Sequence, residues 1–318
     1  PARVVLDVRL PDAAAAAPAS AAPGAPAPGA PAPGAPATRP ERRPAREIPL
    51  ETLLSQEKSP LITANYELAE REYRAGNFER SNQLFLRVFD TAPRSLLGVR
   101  AFFRAADAQY ERNVVAKSTN YHTVIINYQS AIRSAEQIGF ETELIPRSFF
   151  QIGRAYQRMG FHFESNVHYQ ILQDRFPDNY PYTPDSYFFA GINDRELQNF
   201  AEAVKSFNDF LTRDGDPELN GPARYQLGDT YFNLKRYVEA KTEFDKGRRV
   251  SPDYASERPL LLFHMGEAYY ENAEFDVARV IYRTLLERYP DKSYTKLVGL
   301  RLGDFLREEG KEEEALKV

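Results

Sequence analysis

Across residues 253–290 the apolar positions fall on two helical faces separated by a short polar break. Leu262, Met265, Gly266 and Tyr269 share one face of a first helix, and Phe275, Ala278, Tyr282 and Leu285 share one face of a second. Pro290 stops the second helix, because proline lacks the donor that continues the ladder. Small residues, Gly266 and Ala278, stand where two helices must approach closely, and Tyr269 and Tyr282 fill the space beside them. Such a hairpin cannot bury its apolar face alone, so the pattern predicts a stack of hairpins.

The pattern recurs. With Gly266 as marker, equivalent small residues stand at Ala69, Gly153, Gly191, Gly228 and Gly303, and the steps from Gly153 onward are 38, 37, 38 and 37 residues. Twelve positions after each marker comes Ser81, Ser165, Ala203, Ala240, Ala278 or Ala315, and four further on Phe85, Tyr169, Phe207, Phe244 or Tyr282. Phe78, Phe200, Tyr237 and Phe275 open second helices, and Pro93, Pro177, Pro252 and Pro290 close four of them. Several independent features at one offset are the signature of a repeat.

On these residues the chain resembles the tetratricopeptide repeat family over roughly residues 61–318. It departs from that family's pattern in having no Trp near the first-helix start and a period of 37–38 rather than about 34 residues. The extra residues fall between hairpins, as in FPDNYPYTPDS, and read as longer connections. The resemblance implies an all-α fold: an α-solenoid of about seven helix-turn-helix hairpins over residues 48–318, the last incomplete, wound into a right-handed superhelix. Residues 48–60 read as a short amphipathic turn or helix that caps the array. Residues 61–93 are the first hairpin, and residues 94–139 an irregular second one. Ala69 and Gly153 are 84 residues apart, which leaves room for an insertion: either a surface recognition element or an elongated helix pair.

The N-terminal residues differ. In residues 1–12, Val4, Leu6 and Val8 alternate with Val5, Asp7 and Arg9, the pattern of a half-buried strand. The string ARVVLDVRLP resembles the final strand of an AMIN domain, a small β-domain of bacterial envelope proteins; any terminal strand is the alternative. Residues 13–47 are Ala/Pro/Gly-rich, with PGAPAPGAPAPGAP at their centre, and read as a disordered, extended linker. Arg39, Arg42, Arg43 and Arg46 make its end basic, either a solvated spacer end or an adhesive for an anionic surface. The sequence opens inside the strand-like run and closes inside a second helix, so both ends read as cut.

Charge and chemistry narrow the function. Residues 1–47 carry a net +2 and the helical part −6, against a general nucleic-acid binder, which needs a basic stripe. No apolar run is long enough to span a membrane. There is no cysteine, which fits a reduced cytosol or chance as well as an envelope compartment. His122, His162, His168 and His264 form no metal pair at helical spacing, and neither a phosphate loop nor a nucleophile elbow is present. The expectation is therefore a protein that is not an enzyme and needs no cofactor or metal.

The resemblance also implies that first helices line the concave side of the superhelix. Before each marker stands Tyr66, Phe150, Phe188, Tyr225 or Phe263. Just after it come Glu70, Arg154, Ile192, Asp229 and Glu267, then Tyr73, Gln157, Arg195, Phe232 and Tyr270. The expected partner-binding residues are Tyr66, Tyr73, Phe150, Arg154, Phe188, Arg195, Tyr225, Asp229, Phe232, Phe263, Glu267 and Tyr270, an aromatic ladder with mixed charge. The alternative is that these rings pack between neighbouring first helices.

The function expected from this is a non-catalytic protein-interaction scaffold in the periplasm or cell envelope of a bacterium, with protein partners in the concave groove. A different class is a cell-wall module, in which an upstream domain binds peptidoglycan and the repeats act as spacer. A third is a cytosolic chaperone adaptor that clamps peptide C-termini. It would need a basic carboxylate clamp, for which the groove offers Arg154 and Arg195 among more acids.

Overall fold

The structure, a computed structural model, describes residues 48–179, 181–213 and 215–315. The expected strand at residues 1–12 and linker at 13–47 lie outside the described residues. Within them the chain is helical, and no strand occurs among the described residues.

A short α1 (Leu50–Gln56) leads into paired helices: α2 (Pro60–Arg74) with α3 (Phe78–Thr91), α4 (Leu96–Val115) with α5 (His122–Gln137), and α6 (Leu144–Arg158) with α7 (His162–Arg175). Then come α8 (Tyr182–Glu196) with α9 (Phe200–Leu211), α10 (Asn220–Asn233) with α11 (Tyr237–Val250), α12 (Pro259–Glu271) with α13 (Phe275–Arg288), and α14 (Thr295–Glu308) with the single turn α15 (Glu312–Ala315). Each second helix also packs on the next first helix, which makes the array an α-solenoid.

The marker glycines do what the pattern requires. A Cβ built on Gly153, Gly191, Gly228 or Gly266 would stand 2.4, 2.7, 2.7 or 2.6 Å from the ring of Tyr169, Phe207, Phe244 or Tyr282. Those rings are wholly buried, so each hairpin closes by pushing a second-helix ring onto bare first-helix backbone. Gly303 differs: the nearest atom to its Cβ position is the Ala315 carbonyl oxygen at 3.5 Å. Ser81 and Ser165, the small residues on the second helices, donate to the carbonyls of Ala69 and Gly153 at 2.9 and 2.8 Å.

Proline ends the second helices by acting on the residue before it. Ala92, Phe176, Ser251 and Tyr289 precede Pro93, Pro177, Pro252 and Pro290, and their φ values lie between −135° and −140°. The α region is disfavoured for a residue before proline, so each helix stops there.

The turn inside each hairpin carries a signal absent from the hydrophobic pattern. The residue seven after the marker is left-handed in every marked hairpin: Gly76, Gly160, Gln198, Lys235, Ala273 and Gly310, with φ from +58° to +79°. Lys117 fills the same place in the second hairpin. The marker there is Ala106: Arg104, two before it, pairs with Glu70 as Arg301 pairs with Glu267, and Tyr128 donates to Asp107, just after it, as Tyr282 donates to Glu267. That hairpin is irregular because α4 runs a turn further than the other first helices and residues 116–121 lengthen the connection; it is an elongated helix pair. A left-handed conformation favours glycine. Lys235→Gly is expected to raise stability by about 0.5–1 kcal/mol, read as a higher midpoint in urea; a lower midpoint would show the turn conformation is wrong.

Candidate protein-interaction face

The register places the residues beside each marker on the side of the first helix that meets the next first helix. Position by position, the polar groups there are consumed by the neighbouring hairpin.

At the first step, Arg104 donates through Nε and Nη2 to both Glu70 oxygens at 2.8 and 3.0 Å, and its guanidinium lies 4.2 Å over the Tyr73 ring. Its Nη1 reaches Asp107 at 2.8 Å, which also accepts from Arg147 at 3.0 Å and from the Tyr128 hydroxyl at 2.7 Å. Residues of the second and third hairpins meet at this buried carboxylate, and Arg104 ties it to Glu70 of the first. Burial is also the main reason the Tyr128 hydroxyl sits well above its usual range, with the Asp107 charge adding to it.

Further along, Arg154 lies 3.7 Å over the Phe189 ring and donates to Gln157 Oε1 at 2.8 Å. Arg195 donates to Gln226 and Asp229. Asp229 Oδ1 is 2.6 Å from His264 Nδ1, and the His264 ring stacks on Phe232 with centroids 4.5 Å apart. Glu267 accepts from the Tyr282 hydroxyl, and from Arg301 at 3.2 Å; Arg301 covers the Tyr270 ring at 3.8 Å. Phe263 stacks on Tyr294 at 4.6 Å, and Phe150 touches Tyr182 and Phe189 at 5.7 and 5.6 Å.

Three of the twelve expected contact residues are core. Tyr66 packs edge-on against Phe85 at 5.3 Å, Phe188 sits against Phe207 and Phe210 at 6.0 and 5.6 Å, and Tyr225 stacks on Tyr254 at 5.2 Å. All three are buried. Loss of water pushes the Tyr225 hydroxyl up to about 12 and the Tyr66 hydroxyl further. The reason is geometric: the ring three before the marker meets the second-helix ring that the marker admits. Asp229 and Glu267 are buried as well, as ion-pair partners within the array. Tyr73, Phe150, Arg154, Arg195, Phe232, Phe263 and Tyr270 keep partial exposure, each against a neighbouring hairpin's residue or its own second helix.

The residue two before the next marker is the partner that hydrophobic periodicity misses: Phe189, Gln226, His264 and Arg301. A signal was available. Glu267 and Arg301 are 34 apart and Asp229 and His264 are 35 apart, one repeat less one helical turn, with complementary chemistry at that offset.

What stacking leaves free is apolar. Leu260 on α12 is 54% exposed and Leu297 on α14 is 41% exposed, at equivalent positions beside the Phe263–Tyr294 stack. The same position in the third hairpin holds Arg147, which is tied into the ion cluster. Among the described residues no group of three or more His, Cys, Asp or Glu is placed to hold a metal, and no helix is long and apolar enough to cross a membrane.

Two segments are similar to a known family: residues 221–254, which hold nearly all of α10 and α11, and residues 261–292, which hold most of α12 and α13. Both match the tetratricopeptide repeat. A tetratricopeptide repeat protein from Parabacteroides merdae has a similar structure, with a TM-score of 0.53 at 14% identity over 81% of this chain and 90% of its own. The C-terminal part of a tetratricopeptide repeat-containing protein from Cytophaga hutchinsonii gives a TM-score of 0.51 at 18% identity, over 79% and 93%. At such identities the likeness speaks to fold alone. A comparison with curated proteins returns no match. The fold is a tetratricopeptide-type α-solenoid, and tetratricopeptide arrays are in general protein-interaction modules.

Proposed function

We propose that this array is a non-catalytic scaffold that assembles a multiprotein complex in a bacterial envelope, and that a partner segment docks along the first-helix face of α12 and α14. The observation that carries it is the free apolar surface at Leu260 and Leu297, on a face whose charged and polar residues are otherwise paired. An aliphatic and aromatic strip with a satisfied polar rim has the make-up of an interface core. Phe263, Tyr270 and Phe232 flank that strip and keep partial exposure. The envelope setting is supported by the AMIN-like string at residues 1–12 and the extended linker composition at 13–47. An upstream domain that holds peptidoglycan would fit the same arrangement.

The test is Leu260→Arg with Leu297→Arg, made in the host and scored by co-purification and by fractionation of the cells. The expected result is a folded array in the envelope fraction that has lost a partner the unaltered chain retains. A folded double variant that keeps every partner would move the interface off this face. Recovery of the unaltered chain in the cytosol would remove the envelope setting.

A further inference from the structure

One helix in the array is buried by polar residues. Of the residues α8 buries, Thr183, Asp185, Ser186, Asn193 and Asp194 are polar. Asn193 and Asp194 follow the marker by two and three; the same places hold Ala155 and Tyr156, Thr230 and Tyr231, or Ala268 and Tyr269 in the neighbouring hairpins.

All but Asp185, which accepts from the Asp216 N–H at 2.8 Å, make a row of hydrogen bonds along the α7–α8 contact. Thr183 Oγ1 donates to the Phe176 carbonyl at 2.6 Å, and Gln173 Nε2 donates to Ser186 Oγ at 3.0 Å. Asn193 Nδ2 donates to Ser165 Oγ and Asn166 Oδ1, both at 2.8 Å, and Asn166 Nδ2 donates to Asp194 Oδ1 at 2.7 Å. Asn193 Oδ1 accepts from Gln157 Nε2 at 2.7 Å and lies 3.0 Å from His162 Nδ1. Burial raises the Asp194 carboxyl above its usual range, with Glu202 adding to the effect and Asn166 and Ser206 opposing it.

Among the described residues the fully buried apolar core is interrupted at this contact, and half-buried rings join its two sides: Tyr182 packs on the first cluster and Phe150 touches Phe189. One buried cluster runs from Leu53 to Leu172 and another from Phe188 to Leu227. The clusters on either side of α10, by contrast, share Tyr231. Apolar stacking is held by area that water cannot replace, whereas hydrogen bonds on separation are exchanged for bonds to water. In a linear array the weakest neighbour interface decides where the stack opens.

We propose that the α7–α8 contact is a joint: the array opens there on the second-helix side, pivoting on the Phe150–Tyr182–Phe189 ring cluster that bridges the first-helix side. Residues 48–176 and 182–315 move as two blocks. The joint lets the first-helix face change curvature around a partner while each block keeps its own core.

The chain has no cysteine, so paired spin labels report this directly. Phe163, Ala201, Val238 and Asp276 occupy one register on successive second helices, and all are exposed. The full chain with Phe163→Cys and Val238→Cys spans the joint; Ala201→Cys with Asp276→Cys spans the same number of steps over contacts through which the buried apolar core is continuous. The expected result is a distance distribution at least twice as wide for the first pair. Equal widths would overturn the proposal. Amide exchange gives a second readout. Buried amides of α7 and α8 should exchange at least tenfold faster than those of α10 to α13, and equal protection would overturn the joint independently of the labels.

Discussion

Gly228→Leu and Gly266→Leu should each cost the array about 3 kcal/mol, while Gly303→Leu should change stability by less than about 1 kcal/mol. The three substitutions are chemically identical and occupy one register. They differ in what stands opposite. A Cβ alone at Gly228 or Gly266 would come to 2.7 or 2.6 Å from a buried Phe244 or Tyr282 ring that has no room to retreat. At Gly303 the nearest atom among the described residues is 3.5 Å away, and the gain in helix propensity on replacing glycine offsets the lost fit. The shifts are read as denaturation midpoints. Equal shifts at all three positions would mean that the glycines are not ring seats.

That contrast shows what the sequence pattern conveys. The small residue, the small residue twelve on and the ring four further on are separated by helical periods, so their contact follows from helix geometry and is legible in the spacing alone. The second hairpin could not be found this way. Its small marker, Ala106, is present, but α4 runs a turn further and residues 116–121 lengthen the connection, so the second-helix ring, Tyr128, no longer stands at the expected offset. The cap at residues 48–60 was legible as an amphipathic turn, and Leu53 of α1 is indeed buried.

The second large effect is expected at Asp107. Asp107→Ala should cost about 3–5 kcal/mol, because it leaves Arg147 without the carboxylate at 3.0 Å and removes the acceptor of the Tyr128 hydroxyl. Arg104 keeps Glu70, so the loss falls on the junction between the second and third hairpins. Asp107→Asn retains an acceptor and should cost less. Both are measured by urea denaturation of the full chain with amide exchange on α4 and α6. A loss below about 1 kcal/mol would class the cluster with exposed ion pairs.

The candidate site was less legible than the fold for a related reason. Helical period says which side of a first helix a residue occupies, but not whether the next hairpin arrives there. Tyr66, Phe188 and Tyr225 lie on the expected side and are buried by their own second helices. Arg195, Asp229 and Glu267 lie there too and are held by Gln226, His264 and Arg301 of the neighbouring repeats. Leu260 was legible as apolar but carried no mark of being free, since its exposure depends on what the adjacent helix does not cover.

In the proposed function, partners meet the first-helix face at the apolar strip that stacking leaves open. Site-specific photo-cross-linking in the host tests it most directly, with the reactive group placed in turn at Leu260 and Leu297 and, on second helices, at Val238 and Val280, which are 66% and 64% exposed. One defined protein should be captured from Leu260 and Leu297 and be absent from Val238 and Val280. Capture of the same protein from the second-helix positions, with none from Leu260 or Leu297, would contradict it.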